Sequence, residues 1–297
     1  MDRQSGLRPV TSGERILGIW LLIISALFLS TAGVFSKGVS ADAWTIIFWR
    51  GIFAAISALL YLLVIGRLRD EVRDFKMPAI ALPAIALSVI YASGTAAFIP
   101  AFKLTSIANV ALIWAAAPVL AGALSWWLFG QRVSLGFVLA CMVVLGGTFV
   151  IVFGSFGGAG LVGDLLALWM TLMMVLIMMI YRRFPDTPAT LPTVAASLLL
   201  MPMSLYFSEP LAATPGEIGL MALFGITFVI ASITLAQGSK FLLPGETALL
   251  SVTETPWAII LAILFLAEWP SMQTVIGGAI IMAAVLWYQV MALRRGV

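Results

Sequence analysis

The stretch ETALLSVTETPWAIILAILFLAEW, residues 246–269, is an apolar run that carries an acid and a proline near its middle. At about 1.5 Å of rise per residue, a helix of this length spans the roughly 30 Å hydrocarbon layer of a bilayer. Glu254 would then lie at membrane depth, where a carboxylate costs roughly 2.5 to 3.5 kcal/mol on insertion scales, so it should face protein or water. Pro256 removes a backbone donor two residues later. The pattern is typical of a binding site or a hinge inside a membrane.

An earlier stretch of the chain has the same order of features. Aligning Pro118 with Pro256 places Asn109 on Thr247 and Gly130 on Glu268. In each copy a proline interrupts a long apolar run, a polar break follows, and a second apolar run begins after a serine. This shared order indicates an internal duplication, and we expect both prolines to act as hinges.

The composition excludes several classes of protein. Hydrophobic residues make up 62% of the chain and charged residues only 10%, against roughly 25% in a soluble domain, so we predict an all-α membrane protein. The lone Cys141 and the absence of histidine exclude an internal disulfide, histidine-dependent catalysis and the usual zinc sites, and we expect no metal and no cofactor. The net charge of +3 is scattered over short loops rather than one face, which argues against nucleic acid as a partner.

The apolar runs predict ten transmembrane helices in two groups of five. We predict a cytoplasmic tail (1–15), a first five-helix repeat (16–153), a Gly-rich connection (154–163), a second repeat (164–293) and a cytoplasmic tail (294–297). Because five is odd, the two repeats must cross the membrane in opposite directions, which makes an inverted repeat. With the N-terminus inside, every Lys and Arg lies on the cytoplasmic side except Lys37, Lys103 and the intramembrane Arg50. Both termini are therefore expected to be cytoplasmic.

Two long segments resemble the EamA-type transporters of the drug/metabolite transporter superfamily. They are ANVALIWAAAPVLAGALSWWLFGQRVS (108–134) and ETALLSVTETPWAIILAILFLAEWPS (246–271), although Gln131 stands where that family usually has an acid. Shorter matching motifs are VFSKG (34–38), FWRG (48–51), FKLTS (102–106) and GDLLAL (163–168). The resemblance implies export of small metabolites by alternating access, along a path lined by helices 1, 3, 4, 6, 8 and 9. Within the superfamily the chain looks most like amino-acid exporters of the YddG kind.

Charged residues near the expected path are the first site candidates. Glu254 would hold a substrate ammonium, accept a coupling proton, or pair with Arg50 in a purely structural role. Arg50 would reach the outer headgroups, anchor helix packing, or attract a substrate carboxylate. Lys37 and Lys103 are expected at the outer membrane surface.

Aromatic and small polar side chains complete the candidate substrate site. Rings near the middle of the spans suit an apolar cavity, and the alternative is lipid-facing or core packing. Hydroxyl and amide groups would orient a ligand, although many bond only to their own helix. The substrate-binding candidates beside Glu254 are Tyr91, Trp114, Trp169, Trp257, Asn109, Gln237, Ser251 and Thr253.

These observations together predict a multi-pass transporter of the bacterial inner membrane. It would export small neutral metabolites, with hydrophobic or aromatic amino acids as the leading substrates, and its partners would be the solute, the lipid bilayer and a proton if Glu254 couples transport. An alternative is export of lipophilic cations, which need only an acid and aromatic rings. A membrane-embedded lipid-handling enzyme would need two catalytic polar groups at one depth, so we do not expect an enzyme. The sequence leaves the oligomeric state open.

Overall fold

The computed structural model describes residues 10–129, 135–154, 160–242 and 244–294. Parts of both predicted tails, half of the predicted Gly-rich connection (155–159), residues 130–134 with Gln131, and the side chain of Cys141 lie outside that description. The described chain is helical, with one 3₁₀ turn at Pro210–Ala212. The helices are α1 Ser12–Leu29, α2 Ala32–Gly38, α3 Ala43–Val64, α4 Leu68–Lys76, α5 Pro78–Leu104, α6 Ile107–Trp114, α7 Ala117–Phe129, α8 Leu135–Gly154, α9 Gly160–Arg183, α10 Leu191–Phe207, α11 Pro215–Phe241, α12 Pro244–Ser251, α13 Glu254–Leu266 and α14 Met272–Arg294.

Six helical segments of the described chain are long and apolar enough to cross a membrane. They are Ser12–Gly38, Ala43–Val64, Ile80–Leu104, Ile107–Leu124, Gly160–Arg183 and Pro215–Phe241. Four shorter apolar helices are Val138–Ile151, Leu191–Phe207, Glu254–Leu266 and Met272–Ala284. Large apolar side chains such as Trp127, Leu264 and Tyr206 are exposed on the outside of the bundle, where lipid would cover them. The prediction of an all-helical, multi-pass membrane protein is confirmed.

The two proline-containing runs are interrupted rather than continuous. One breaks at residues 115–116, between α6 and α7, and the other at residues 252–253, between α12 and α13. Each break includes an i to i+3 backbone bond just before its proline, from Ala116 N to Ile113 O and from Thr255 N to Val252 O, both 3.0 Å. Pro118 and Pro256 lack the N–H that would close the regular α-helical bond, so the chain tightens at these places.

The first predicted helix is also interrupted, at residues 30–31, where no proline occurs. Ser30 Oγ donates to Leu27 O and Thr31 Oγ1 donates to Phe28 O, both at 2.7 Å. Such bonds from hydroxyl groups compete with the backbone ladder and bend helices. The break separates α1 from α2 beside the central cavity described below.

The segment RLRDEVRDFK (67–76), whose mixed charges predict a loop, instead contains helix α4. Leu68, Val72 and Phe75 recur at helical spacing and are partly buried, whereas Arg69, Asp70 and Arg73 are exposed. Glu71 accepts a hydrogen bond at 3.2 Å from the backbone N–H of Leu191, the first residue of α10. This surface helix is thus attached to the start of a membrane helix.

The helices pack against one another in specific pairs. α1 packs on α11, α5 on α9, α3 on α10, and α8 on α14. The interrupted helices cross so that α6 meets α13 and α7 meets α12. Glycines allow the closest approaches, because a Cβ at Gly163 would lie 2.7 Å from Thr105 N and one at Gly277 would lie 2.6 Å from Gly147 O. Gly146, the neighbour of Gly147 in the sequence, has open space beside it.

Candidate substrate-binding site

A cavity lies between two of the helix breaks and three neighbouring helices. The breaks are those that separate α1 from α2 and α12 from α13, and the helices are α5, α6 and α9. Its walls are mostly apolar, and its polar lining groups are Ser30, Trp114 and Glu254. The cavity volume is about 20 Å³. That is room for about one water, so this conformation is nearly closed to a larger solute. The remaining lining residues are Leu29, Gly33, Phe98, Phe102, Val110, Ala111, Met170, Met174 and Ala258.

Glu254 reaches this cavity because it is the first residue of α13, directly after the break in the chain. Its side chain is buried, with the residue only 8% exposed. Next to it, Thr255 Oγ1 donates to Ala111 O at 3.0 Å and holds α13 against α6. No cationic side chain pairs with the Glu254 carboxyl in the described part of the chain. The carboxyl is therefore a buried acid without a counter-charge.

Trp114 ends α6 at the other broken helix and is 3% exposed. Its indole lies close enough to Glu254 to interact with the carboxyl. Trp114 Nε1 nevertheless has no hydrogen-bond partner of good geometry among the described residues. The crossing of α6 with α13 thus brings together an acid, an aromatic face and an unused N–H donor.

Arg50 lies in a second cavity, formed by α3, α5, α10 and α11. It is 2% exposed, so its guanidinium group does not extend to the outer headgroups. The guanidinium carbon lies 4.0 Å from the ring centre of Phe228 and 5.5 Å from that of Phe224. Cation–π contacts contribute about 2 kcal/mol when desolvated, whereas burying an ion costs several kcal/mol. The two rings alone therefore do not offset the cost of burying the guanidinium charge. Among the described residues Arg50 forms no ion pair with Glu254, and the two line different cavities.

A third cavity, of about 20 Å³, lies between the other two and shares lining residues with both. Phe98, Met170 and Met174 also line the cavity at Glu254. Tyr91, Thr95 and Phe228 also line the cavity at Arg50. The predicted site residue Tyr91, which is buried, therefore stands between the two buried charges.

Asn109 belongs to a buried polar network rather than to a cavity lining. Its side-chain amide donates to Thr105 Oγ1 and to both carboxylate oxygens of Asp164, at 3.1 to 3.3 Å. Thr105 Oγ1 donates to Asp164 at 2.6 Å, and Thr274 Oγ1 donates to the Asn109 carbonyl. Asp164 is fully buried, whereas the sequence had indicated Glu254 as the one acid inside the membrane. The motif GDLLAL, which contains Asp164, is the signal in the sequence that could have identified this residue.

The structure does not place the other predicted ligands at the cavity of Glu254. Trp169 and Trp257 are about half exposed, and Trp169 Nε1 donates to Ser93 Oγ at 3.0 Å. Thr253 is exposed and donates to Leu250 O, while Ser251 is buried and donates to Thr247 O. Gln237 is partly buried in α11. None of these five residues lines a cavity that contains Glu254.

The lysines that we predicted at the membrane surface each contact an oxygen atom near a helix end. Lys37 Nζ lies 2.6 Å from Glu268 Oε2. Lys103 Nζ, near the end of α5, donates to Val39 O at 2.6 Å. In the second half Lys240 Nζ, near the end of α11, donates to Thr187 O at 2.8 Å. Each of the latter two lysines caps a carbonyl just beyond a neighbouring helix, α2 or α9.

The fold and the cavity define a multi-pass helical membrane protein with an enclosed, mostly apolar interior site. Residues 16–153 match the EamA-like transporter family, which supports the resemblance to the drug/metabolite transporter superfamily. A solved structure titled "Crystal structure of protein" has a TM-score of 0.65 with this chain at 19% identity, covering 96% of this chain and 99% of that one. At that identity the likeness shows a shared fold. No curated protein sequence matches the chain.

Proposed function

We propose that this protein is a secondary transporter of the bacterial inner membrane that exports small neutral metabolites, hydrophobic or aromatic amino acids first among them. The observation that carries the proposal is the buried carboxylate of Glu254, which has no counter-charge among the described residues and lies in a cavity walled by Phe98, Phe102 and Trp114. An ammonium group would supply the missing charge. The rings and methionines would receive an apolar side chain, and Trp114 Nε1 would donate to a substrate carboxylate.

An inverted repeat of ten spans, with both termini cytoplasmic, would account for the packing. The contacts of α1 with α11 correspond to those of α9 with α5, and the crossed halves α6 with α13 and α7 with α12 correspond to each other. Lys103 and Lys240 make equivalent caps in the two halves. A pseudo-two-fold axis in the membrane plane would produce such pairs of contacts.

Alternating access follows from the near-closed cavity. A solute larger than water enters only if the surrounding helices separate. The breaks before Pro118 and Pro256 lack full α-helical bonding, so we assign the bending to them. The driving force would be the solute gradient or a proton carried by Glu254.

Export of lipophilic cations is the second candidate function. A cation needs only the carboxylate and the aromatic walls, both of which the cavity offers. A lipid-handling enzyme has less support, because the buried acid Asp164 is held in the network of Asn109 and Thr105 and does not line this cavity.

Uptake into proteoliposomes would test these proposals. Radiolabelled Phe, Trp, Met, Leu, Thr and a lipophilic cation would be offered to the native protein, to Glu254→Gln and to the exposed control Glu209→Gln, with and without a pH gradient. We expect neutral amino acids to be transported, Glu254→Gln to abolish transport, and Glu209→Gln to leave it intact. Amino-acid transport that survives Glu254→Gln would assign Glu254 a structural role. Transport of the cation alone would favour the second function, and transport of none of the solutes would contradict both.

A further inference from the structure

The cavity at Arg50 contains several buried hydrogen-bond donors that have no partner in the described part of the chain. They are Arg50 Nε and Nη1, together with the Tyr91 and Thr193 hydroxyls, which make no hydrogen bond of good geometry, and all three residues line this cavity. The Tyr91 hydroxyl nevertheless lies close enough to the Thr193 and Tyr181 hydroxyls to interact with them, so the Arg50 donors are the clearest unpaired groups. Only Arg50 Nη2 is bonded, donating to Thr95 Oγ1 over a long 3.4 Å. Buried polar groups in folded proteins are nearly always paired, so this concentration of free donors needs an explanation.

The positive charge of Arg50 also lacks an anion. No carboxylate lines its cavity, and in the described residues no acid forms an ion pair with it. Phe228 and Phe224 stack against the guanidinium group but accept none of its N–H bonds. What is missing is therefore an acceptor that is negatively charged.

We propose that the Arg50 cavity is a binding site for a small monovalent anion, either the carboxylate of a solute or an inorganic anion. The guanidinium keeps unpaired N–H donors at Nε and at Nη1, and the residues that carry the Tyr91 and Thr193 hydroxyls, on α5 and α10, line the same cavity. The cavity volume is about 10 Å³, which is room for about one water, so chloride or formate would have to widen the cavity slightly. A larger carboxylic acid would have to widen it further.

This anion site is separate from the proposed ammonium site at Glu254. On α5, Tyr91 and Thr95 line the Arg50 cavity, whereas Phe98 and Phe102 line the Glu254 cavity. The two levels are seven residues apart on average, which is roughly 10 Å along the helix. The ammonium and carboxylate of one α-amino acid are only a few bonds apart, so one such molecule does not engage both charges at once. A third cavity between the two levels shares lining residues with both.

Thermal unfolding of the detergent-purified protein tests the site without any transport assay. Sodium gluconate would be replaced stepwise by sodium chloride or sodium formate at constant ionic strength. An anion that binds only the folded protein raises its melting temperature with a saturable concentration dependence. We expect such a rise with chloride, with formate, or with both. Formate alone would identify a carboxylate site, and chloride alone an inorganic anion site.

Three variants localise the effect. Arg50→Gln is expected to abolish the saturable rise, and the double variant Tyr91→Phe, Thr193→Val to raise the midpoint concentration about tenfold. Arg183→Gln removes an equal charge from an exposed arginine and should respond like the native protein. If Arg50→Gln does not fold, the double variant decides. The proposal is overturned if the native protein shows no saturable rise or if the double variant titrates unchanged. Neither result bears on transport through Glu254.

Discussion

The Lys37 ammonium lies 2.6 Å from Glu268 Oε2, which joins the end of α2 to the segment just after α13. Glu268 Oε1 accepts the backbone N–H of Ile107 at 2.6 Å, so one carboxylate also holds the start of α6. At the opposite ends of the same two helical segments, Arg15 and Glu246 pair at 2.6 Å. Two parallel segments are thus tied at both ends, with the Glu254 cavity between the ties.

Glu268→Ala should destabilise the protein more than Lys37→Met. The lysine variant removes an ion pair that is about four-fifths buried, which we expect to cost about 0.5 to 1 kcal/mol. The glutamate variant also leaves the Ile107 N–H without an acceptor, which raises the cost to about 2 to 3 kcal/mol. Thermal unfolding in detergent would measure both. Equal losses would contradict the bond to Ile107, and Arg15→Met serves as the exposed control.

Gly163→Ala should be strongly destabilising because the new methyl group would meet backbone atoms. Its Cβ would lie 2.7 Å from Thr105 N and 2.8 Å from Leu104 C, and neither atom can rotate away. We expect a loss of about 1 to 3 kcal/mol from overpacking. The matched control is Gly146→Ala, which meets nothing within 4 Å and should gain helix propensity. Equal melting temperatures for the two variants would refute the close contact between α9 and the end of α5.

Glu71 should make the free energy of unfolding decline as the pH rises above the ordinary pKa of a glutamate. Burial raises the pKa of Glu71, although the Leu191 N–H and the charge of Lys240 oppose the shift. The folded state therefore holds the proton more tightly than the unfolded chain. Stability falls as the pH rises from the ordinary glutamate pKa through the raised one.

Glu71→Gln should remove this decline and keep an oxygen for the Leu191 N–H. In melting curves from pH 4 to pH 8, the melting temperature of the variant should rise relative to that of the native protein as the pH increases. At higher pH the difference should become constant. Glu71→Ala lacks the acceptor and should be less stable than Glu71→Gln at every pH. A constant difference between native protein and Glu71→Gln across the range would contradict a raised pKa.

Hydropathy alone was enough to predict the helical membrane fold, because a run of apolar residues has few other stable structures. The sequence also placed the prolines at the interruptions, but not the i to i+3 bonds that separate α12 from α13. It missed helix α4, whose charges resemble those of a loop. Only packing against α5 and α10 shows that Glu71 attaches a surface helix.

The candidate site was predictable where a residue is costly to bury. Glu254 was identified because an acid in the middle of a membrane span is costly. Asp164 was overlooked because it stands at the start of its apolar run, where an acid is not unusual. The sequence could not rank the aromatic residues, since α9 and α13 are apolar on every side and no pattern marks their inner face. Tyr91 and Trp114 line cavities, whereas Trp169 and Trp257 face outward.

Trp114→Phe should weaken transport, whereas Trp257→Phe should leave it nearly unchanged. Trp114 is buried and lines the cavity beside Glu254, and its N–H makes no hydrogen bond of good geometry to a described residue, whereas Trp257 is 49% exposed. Losing one hydrogen bond to the solute is expected to raise KM roughly three- to tenfold, and Trp257→Phe should change it less than about twofold. Uptake of radiolabelled phenylalanine over a range of concentrations would measure both. An equal effect of the two changes would mean that the solute does not contact Trp114, and the site would have to be sought away from the junction of α6 with α13.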